Sequence, residues 1–162
     1  MPKAVSVLPS ARDIATSPSR ARLSGFPHES NSAHSYSKEY RLRKHADYER
    51  VYKLGRRQFS QIMTFFYLER ENPLAEHTHA RIGITVGRAL GGAVQRNRIK
   101  RRMREAVRAH LSLLPAADLP LDIVINPKKP VLTEPFERVT AEVSRGFRQI
   151  LKQTELRSAP RS

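Results

Sequence analysis

The stretch RIGITVGRALGGAVQRNRIKRRMREAVR, residues 81–108, changes period partway along, and that change decides the fold. Its first part, read with Ala80, alternates: Ala80, Ile82, Ile84 and Val86 fall on one side of a strand. From Gly92 to about Leu111 the apolar positions Ile99, Met103, Ala106, Val107 and His110 recur at helical spacing, which predicts a helix packed on a sheet. Between the two lies GRALGGAV (87–94), where Gly91 and Gly92 allow a tight turn or a close backbone approach, and helix amides favour phosphate. The GxxxxGK[ST] pattern of a nucleotide-hydrolysing loop is absent.

Charge concentrates on the same helix. Arg88, Arg96, Arg98, Lys100, Arg101, Arg102, Arg104 and Arg108 face a single acid, Glu105, a net charge of +7 within 21 residues. At about 100° per residue, Lys100, Arg104, Asn97, Arg108 and Arg101 form one arc opposite the Ile99/Met103 stripe, while Arg96 falls nearer the apolar side. A solvated helix face mixes signs to gain pairs one turn apart; this one does not. Guanidinium forks suit phosphate oxygens and bases, so the arc reads as a polyanion-binding face.

The whole chain agrees. Its 162 residues hold 30 Lys+Arg against 15 Asp+Glu, a formal charge of +15 and a pI near 11.0. The length suits one domain with a modest core. Nucleic acid or an anionic membrane is the partner class that such charge attracts. No cysteine is present, which removes disulfides, thiolate zinc sites and cysteine nucleophiles. No apolar run approaches the roughly 18 residues of a membrane span, and the expected location is the cytoplasm. Residues 1–35, rich in Ser, Ala and Pro, read as a disordered extension rather than an organelle transit peptide.

Outward from the deciding stretch, KHADYERVYKL (44–54) places Tyr48, Val51 and Tyr52 on one face of a short helix that Gly55 ends. FSQIMTFFYLE (59–69) predicts a strand or bent strand pair, with Ile62, Thr64, Phe66 and Leu68 on one face and Met63, Phe65 and Tyr67 on the other. NPLAEHTH (72–79) reads as a loop, and LDIVIN (121–126) as a buried strand stopped by Pro127. Thr133 is the expected cap of a last helix with Pro135 in its first turn and Phe136, Val139, Val143, Phe147, Ile150 and Leu151 on one face. A tail after Gln153 is expected to fray, leaving a folded domain over 36–154 and a flexible end at 155–162. The fold class is α+β, a single-domain sandwich with helices packed on a small mixed sheet.

Catalytic groups are sparse. His77 and His79 lie in a loop without a convincing third ligand. Glu69, Glu71 and Glu76, or Asp118 with Asp122, read as loop charges rather than a two-metal site, and no Ser/His/Asp spacing is detectable. No catalytic or metal-binding residue is assigned, and no cofactor motif is found.

The 81–108 stretch closely resembles the signature of the bacterial ribonuclease P protein family, whose hallmark is RNR followed by a basic helix; here it is Arg96, Asn97 and Arg98, then Ile99, Lys100 and Arg101. The resemblance extends from about Tyr40 to Lys152 through HADYERVYKLG, LDIVINPKKP and the closing amphipathic helix. It implies the order α-β-β-β-α-β-α with a left-handed βαβ crossover, against the general right-handed rule. It also implies a subunit of the ribonucleoprotein that removes the 5′ leader of precursor tRNA, an endonucleolytic phosphodiester hydrolysis. The partners would be a catalytic RNA, which supplies the Mg²⁺ site, and precursor tRNA, with no membrane and no obligate protein partner. On this resemblance Arg88, Arg96, Asn97, Arg98, Lys100, Arg101, Arg104 and Arg108 bind the catalytic RNA, and Tyr48, Tyr52 and Phe66 line a cleft for the leader. From the residues alone these three aromatics read as core. The chain departs from the family where Arg88-Ala89-Leu90-Gly91-Gly92 replaces a Lys-Lys-Ile-Gly-Asn run, and in its long N-terminal extension. Two rival readings are a DNA-binding module with the basic helix in a major groove, and a protein nuclease acting alone.

Overall fold

The computed structural model describes residues 36, 38–71, 79–114 and 119–159; the N-terminal extension, Glu76, His77 and Asp118 lie outside them. The main elements are helix α1 (His45–Leu54), strands β1 (Arg56–Phe59), β2 (Met63–Glu69) and β3 (Arg81–Ile84), helix α2 (Ala93–His110), strand β4 (Leu121–Pro127) and helix α3 (Phe136–Ser158). This is the α-β-β-β-α-β-α order. The sheet runs β1-β2-β4-β3, with β2 antiparallel to both neighbours and β3 parallel to β4. Parallel neighbours need a long connection, and α2 supplies it.

Both sheet faces are covered, unequally. Side chains alternate along each strand, so Ile82 of β3, Phe65 and Tyr67 of β2 and Leu121, Ile123 and Ile125 of β4 point to one face. There they join Ile99, Met103, Ala106 and Val107 of α2 and Val139, Val143, Phe147 and Ile150 of α3 in the main core. Each fully buried Ile, Val or Phe side chain contributes roughly 1.5–3 kcal/mol. On the other face Val124 packs with Val51 of α1 and with Leu42, which precedes that helix, in a smaller cluster flanked by Tyr48, Tyr52, Phe66 and Leu68. The aromatic-rich run 56–69 is a bent strand pair, with Arg57 opposite Phe66 and Phe59 opposite Thr64.

Four local expectations need correction. Ile62 does not share a face with Phe66: it precedes β2 in a bend, where strand alternation does not apply, and it packs in the main core. Strand β4 includes Pro127, paired opposite Met63, because a missing N–H is tolerated at a strand end. Thr133 does not cap α3; its hydroxyl turns back to the Pro130 carbonyl at 3.3 Å, and Pro135 stands just outside the helix rather than in its first turn. Helix α3 also continues past Gln153 to Ser158, so the expected tail begins inside the helix. Thr154 is buried and its hydroxyl donates to the Ile150 carbonyl at 2.9 Å, while the Tyr67 hydroxyl donates to Gln153, and these contacts hold the last turns down.

Candidate nucleic-acid interface

The basic helix starts at a tight turn. Gly91 has φ +134°, a conformation side chains rarely adopt, and a Cβ there would collide with the Gln95 side chain. Gln95 instead folds back so that its Oε1 accepts the Gly92 N–H at 3.0 Å, capping α2. With Ile99, Met103, Ala106 and Val107 buried, the opposite arc is fixed: Asn97, Arg98, Arg101, Arg104 and Arg108 are exposed, as is Arg88 in the preceding turn. Lys100 and Arg96 are half-buried, and the Arg96 Nε is shielded without a hydrogen-bond partner, in keeping with its place near the apolar stripe.

Pairing sorts these cations. Arg108 is bridged to Glu105 at 2.9 Å. Arg102 is structural: its guanidinium donates to the carbonyls of Leu132 at 2.9 Å and Glu134 at 2.6 Å, tying α2 to the turn before α3. Arg88, Arg98, Lys100, Arg101 and Arg104 have no acidic partner among the described residues. A row of unpaired cations on a rigid helix is a field for a polyanion.

The second surface lies across the sheet. Tyr52 of α1 meets Phe66 of β2 edge-on with ring centroids 4.8 Å apart, and its hydroxyl donates to Asn126 Oδ1 at 2.8 Å. The Tyr48 hydroxyl donates to the Leu42 carbonyl at 3.0 Å, and Gly83 makes room for the ring, since a Cβ there would lie 2.6 Å from it. Burial, then the neighbouring Tyr52, raises the Tyr48 hydroxyl above its ordinary pKa of 10.0, so it remains a donor at neutral pH. All three rings are half-buried, packed against the Leu42/Val51/Val124 cluster. Phe65 and Tyr67, on the opposite face of the strand, are buried in the main core.

Sequence reading missed Arg57, whose guanidinium stands 5.3 Å from the Phe66 centroid and gives the aromatic surface a basic wall. Its place opposite Phe66 depends on strand register, which local pattern does not give. Asn126, holding Tyr52, was missed for the same reason.

Asp122 is also not the loop charge expected of it. It is 1% exposed on β4, where its carboxylate accepts from Arg81 at 2.9 and 2.8 Å and stands 3.3 Å from Arg70. Arg81 reaches on to Asp47 of α1 at 3.2 Å, so the cluster fastens the tyrosine-bearing helix to the sheet. Burial alone depresses the Arg81 guanidinium, but the bonds and charge of Asp122, joined by Asp47, raise it above its ordinary value. At Arg70 burial outweighs Asp122 and the shift is downward.

Neither surface holds a visible reaction centre. Among the described residues no three His, Cys, Asp or Glu side chains converge as a metal site would require. His79 sits against the Tyr40 ring, centroids 4.8 Å apart, with its Nε2 3.1 Å from the Glu39 carbonyl. No helix among the described residues is long and apolar enough to cross a membrane.

A mixed sheet with an arginine-rich helix on one face and a half-buried aromatic surface on the other defines a small, basic α+β protein. Known proteins are similar to it in sequence and fold. A family model described as Ribonuclease P matches residues 36–151. The ribonuclease P protein component of an Exiguobacterium species is 36% identical over 112 residues, covering 69% of this chain and 90% of that one. A Staphylococcus aureus counterpart is 31% identical over 115 residues, with 71% and 90% covered. Among solved structures, a Staphylococcus aureus RNase P protein mutant with defective mRNA degradation activity superposes with a TM-score of 0.58 at 30% identity, over 71% of this chain and 90% of that one. The Thermotoga maritima RNase P protein gives 0.57 at 25% identity, over 67% and 96%. The chain belongs to the ribonuclease P protein family, the protein component of a ribonucleoprotein endoribonuclease of tRNA processing. Nothing in these relationships supports the DNA-binding reading.

Proposed function

We propose that this protein assembles with a catalytic RNA through the α2 arc and Arg88, and holds the 5′ leader of precursor tRNA against Tyr48, Tyr52 and Phe66. The observation that carries this reading is the placement of the two surfaces on opposite faces of one sheet, unpaired cations on one and half-buried aromatic rings on the other. Folded RNA is gripped through its phosphates, whereas unpaired nucleotides lie on rings between basic walls, as Arg57 provides beside Phe66. In this reading the Mg²⁺ and the bond cleavage belong to the RNA, and the protein binds no cofactor of its own. Its contribution is substrate affinity and screening of phosphate repulsion, in the cytoplasm, with no membrane or obligate protein partner.

The test is reconstitution with the cognate catalytic RNA at low Mg²⁺, assayed for leader removal. The protein is expected to restore cleavage that the RNA performs poorly by itself, and to be inactive alone. Cleavage by rigorously RNA-free protein, abolished by a carboxylate substitution, would overturn the assignment in favour of a protein nuclease.

Tyr52 separates cleft from core. Tyr52→Phe removes the bond to Asn126 and is expected to cost about 0.5–1.5 kcal/mol of stability. Tyr52→Ala removes a stacking surface and is expected to weaken binding of leader-bearing tRNA by about 1–3 kcal/mol, with mature tRNA unaffected. Affinities for both tRNA forms, measured beside the melting temperature, decide the matter: equal losses on both would return Tyr52 to a packing role.

A further inference from the structure

A groove of about 490 Å³ separates the C-terminal end of α2 from the outer face of α3. Ala141 and Ser144 line it together with His110, Arg145, Arg148 and Lys152, and no acidic side chain is among its lining residues. The three cations share one side of α3 because Val139, Val143, Phe147, Ile150 and Thr154 commit the opposite side to the core. Arg148 and Lys152, one turn apart and exposed, have no acidic partner among the described residues. Arg145 is bound to Glu142 at 3.3 Å, and Glu142 is occupied on its other oxygen by the Ser60 hydroxyl. The His110 Nδ1 is buried without a hydrogen-bond partner. Burial, then the charge of Arg148, lowers the His110 pKa below its ordinary 6.5, so the neutral ring leaves the groove's charge to the arginines and the lysine.

We propose that this groove is a second docking surface for the backbone of the same catalytic RNA, an inference that rests on the assembly role proposed above. Its charge and openness suit a strand of phosphates rather than an apolar segment. Its position chooses between the two RNAs. The groove begins at the end of the basic helix and lies in the α2/α3 layer, whereas Tyr48, Tyr52 and Phe66 lie across the sheet. An RNA that grips α2 reaches the groove along the same face; a leader on the tyrosines is separated from it by the sheet.

The experiment measures affinity of the full-length protein for its cognate catalytic RNA over a salt series, comparing Arg148→Ala/Lys152→Ala with the wild type. Loss of two phosphate contacts is expected to lower the magnitude of the log–log salt slope by about 1.4–1.8. The control is Arg50→Ala/Arg157→Ala, which removes the same charge from exposed positions outside the groove and is expected to leave the slope unchanged. An unchanged slope in the groove variant, with its melting temperature intact, would overturn the inference. So would an equal change in the control, or normal RNA assembly with reduced precursor tRNA binding by the assembled complex. If Arg101→Ala flattens the slope and the groove variant does not, only the groove falls; if the wild type shows no salt-dependent RNA binding, the assembly role falls with it.

Discussion

Replacing Asp122 with alanine is expected to destabilise the fold by about 3–5 kcal/mol, because it removes the buried carboxylate that two mostly buried guanidinium groups share, leaving Arg81 with Asp47 and Arg70 with the His79 carbonyl. Arg81 and Arg70 have side chains only 13% and 10% exposed, and Asp122 is their shared carboxylate. For a domain of this size the loss corresponds to a fall in melting temperature of roughly 10–20 °C. Thermal unfolding of Asp122→Ala beside Arg81→Met/Asp122→Leu checks the cause. The double variant removes one arginine along with the carboxylate and is expected to be the milder lesion, since taking out both halves of a buried pair leaves less charge unmatched. If the single variant melts within about 2 °C of wild type, the cluster is not what fastens α1 to the sheet.

The second large effect concerns the basic arc. The triple variant Arg98→Ala/Arg101→Ala/Arg104→Ala is expected to lower the magnitude of the salt slope for catalytic-RNA binding by about two to three units, one phosphate contact per arginine. Stability is expected to move by no more than about 0.5 kcal/mol, as for surface substitutions in general, since all three side chains are exposed and have no acidic partner among the described residues. Arg102→Ala makes the contrast. It leaves the exposed arc intact and breaks the bonds to the Leu132 and Glu134 carbonyls, so its effect is expected in melting temperature and scarcely in slope. These two expected outcomes would separate neighbouring arginines on one helix into those that hold RNA and one, Arg102, that ties the protein together. A triple variant with wild-type slope would reduce the arc to a solvated surface.

How far the sequence could be read depended on the range of the interaction concerned. Helix α2 was legible because its apolar stripe and cations repeat within a few residues, and β4 because LDIVIN has little alternative to burial. Asp122 was not, because its partners sit 41 and 52 positions away, and only the parallel register of β3 on β4 sets Arg81 beside it. The same holds for Arg57 and Asn126, which join the aromatic surface through cross-strand pairing. One signal was available: an aspartate inside a run otherwise fit for the core needs a buried partner, and an arginine heads the neighbouring strand RIGI. The end of α3 was misjudged because a polar sequence after Gln153 reads as solvent-facing until Thr154 is seen to be buried. That Tyr48, Tyr52 and Phe66 are half-buried rather than enclosed depends on how α1 packs on the sheet, which residue type does not give.

The edges of the sheet bear on how the protein survives before it meets RNA. Strand β3 ends the sheet on one side, yet its rim is occupied: Arg41 bridges to Ile82, the Leu42 N–H donates to the Ile82 carbonyl at 3.0 Å, and the Tyr36 hydroxyl donates to the same oxygen at 2.7 Å. Strand β1 ends it on the other side, only four residues long and opening with Arg56 and Arg57. A second copy approaching that rim strand-to-strand would bring like charges together over a ladder too short to compensate. Both edges of the sheet are thereby guarded against strand-to-strand association of free copies.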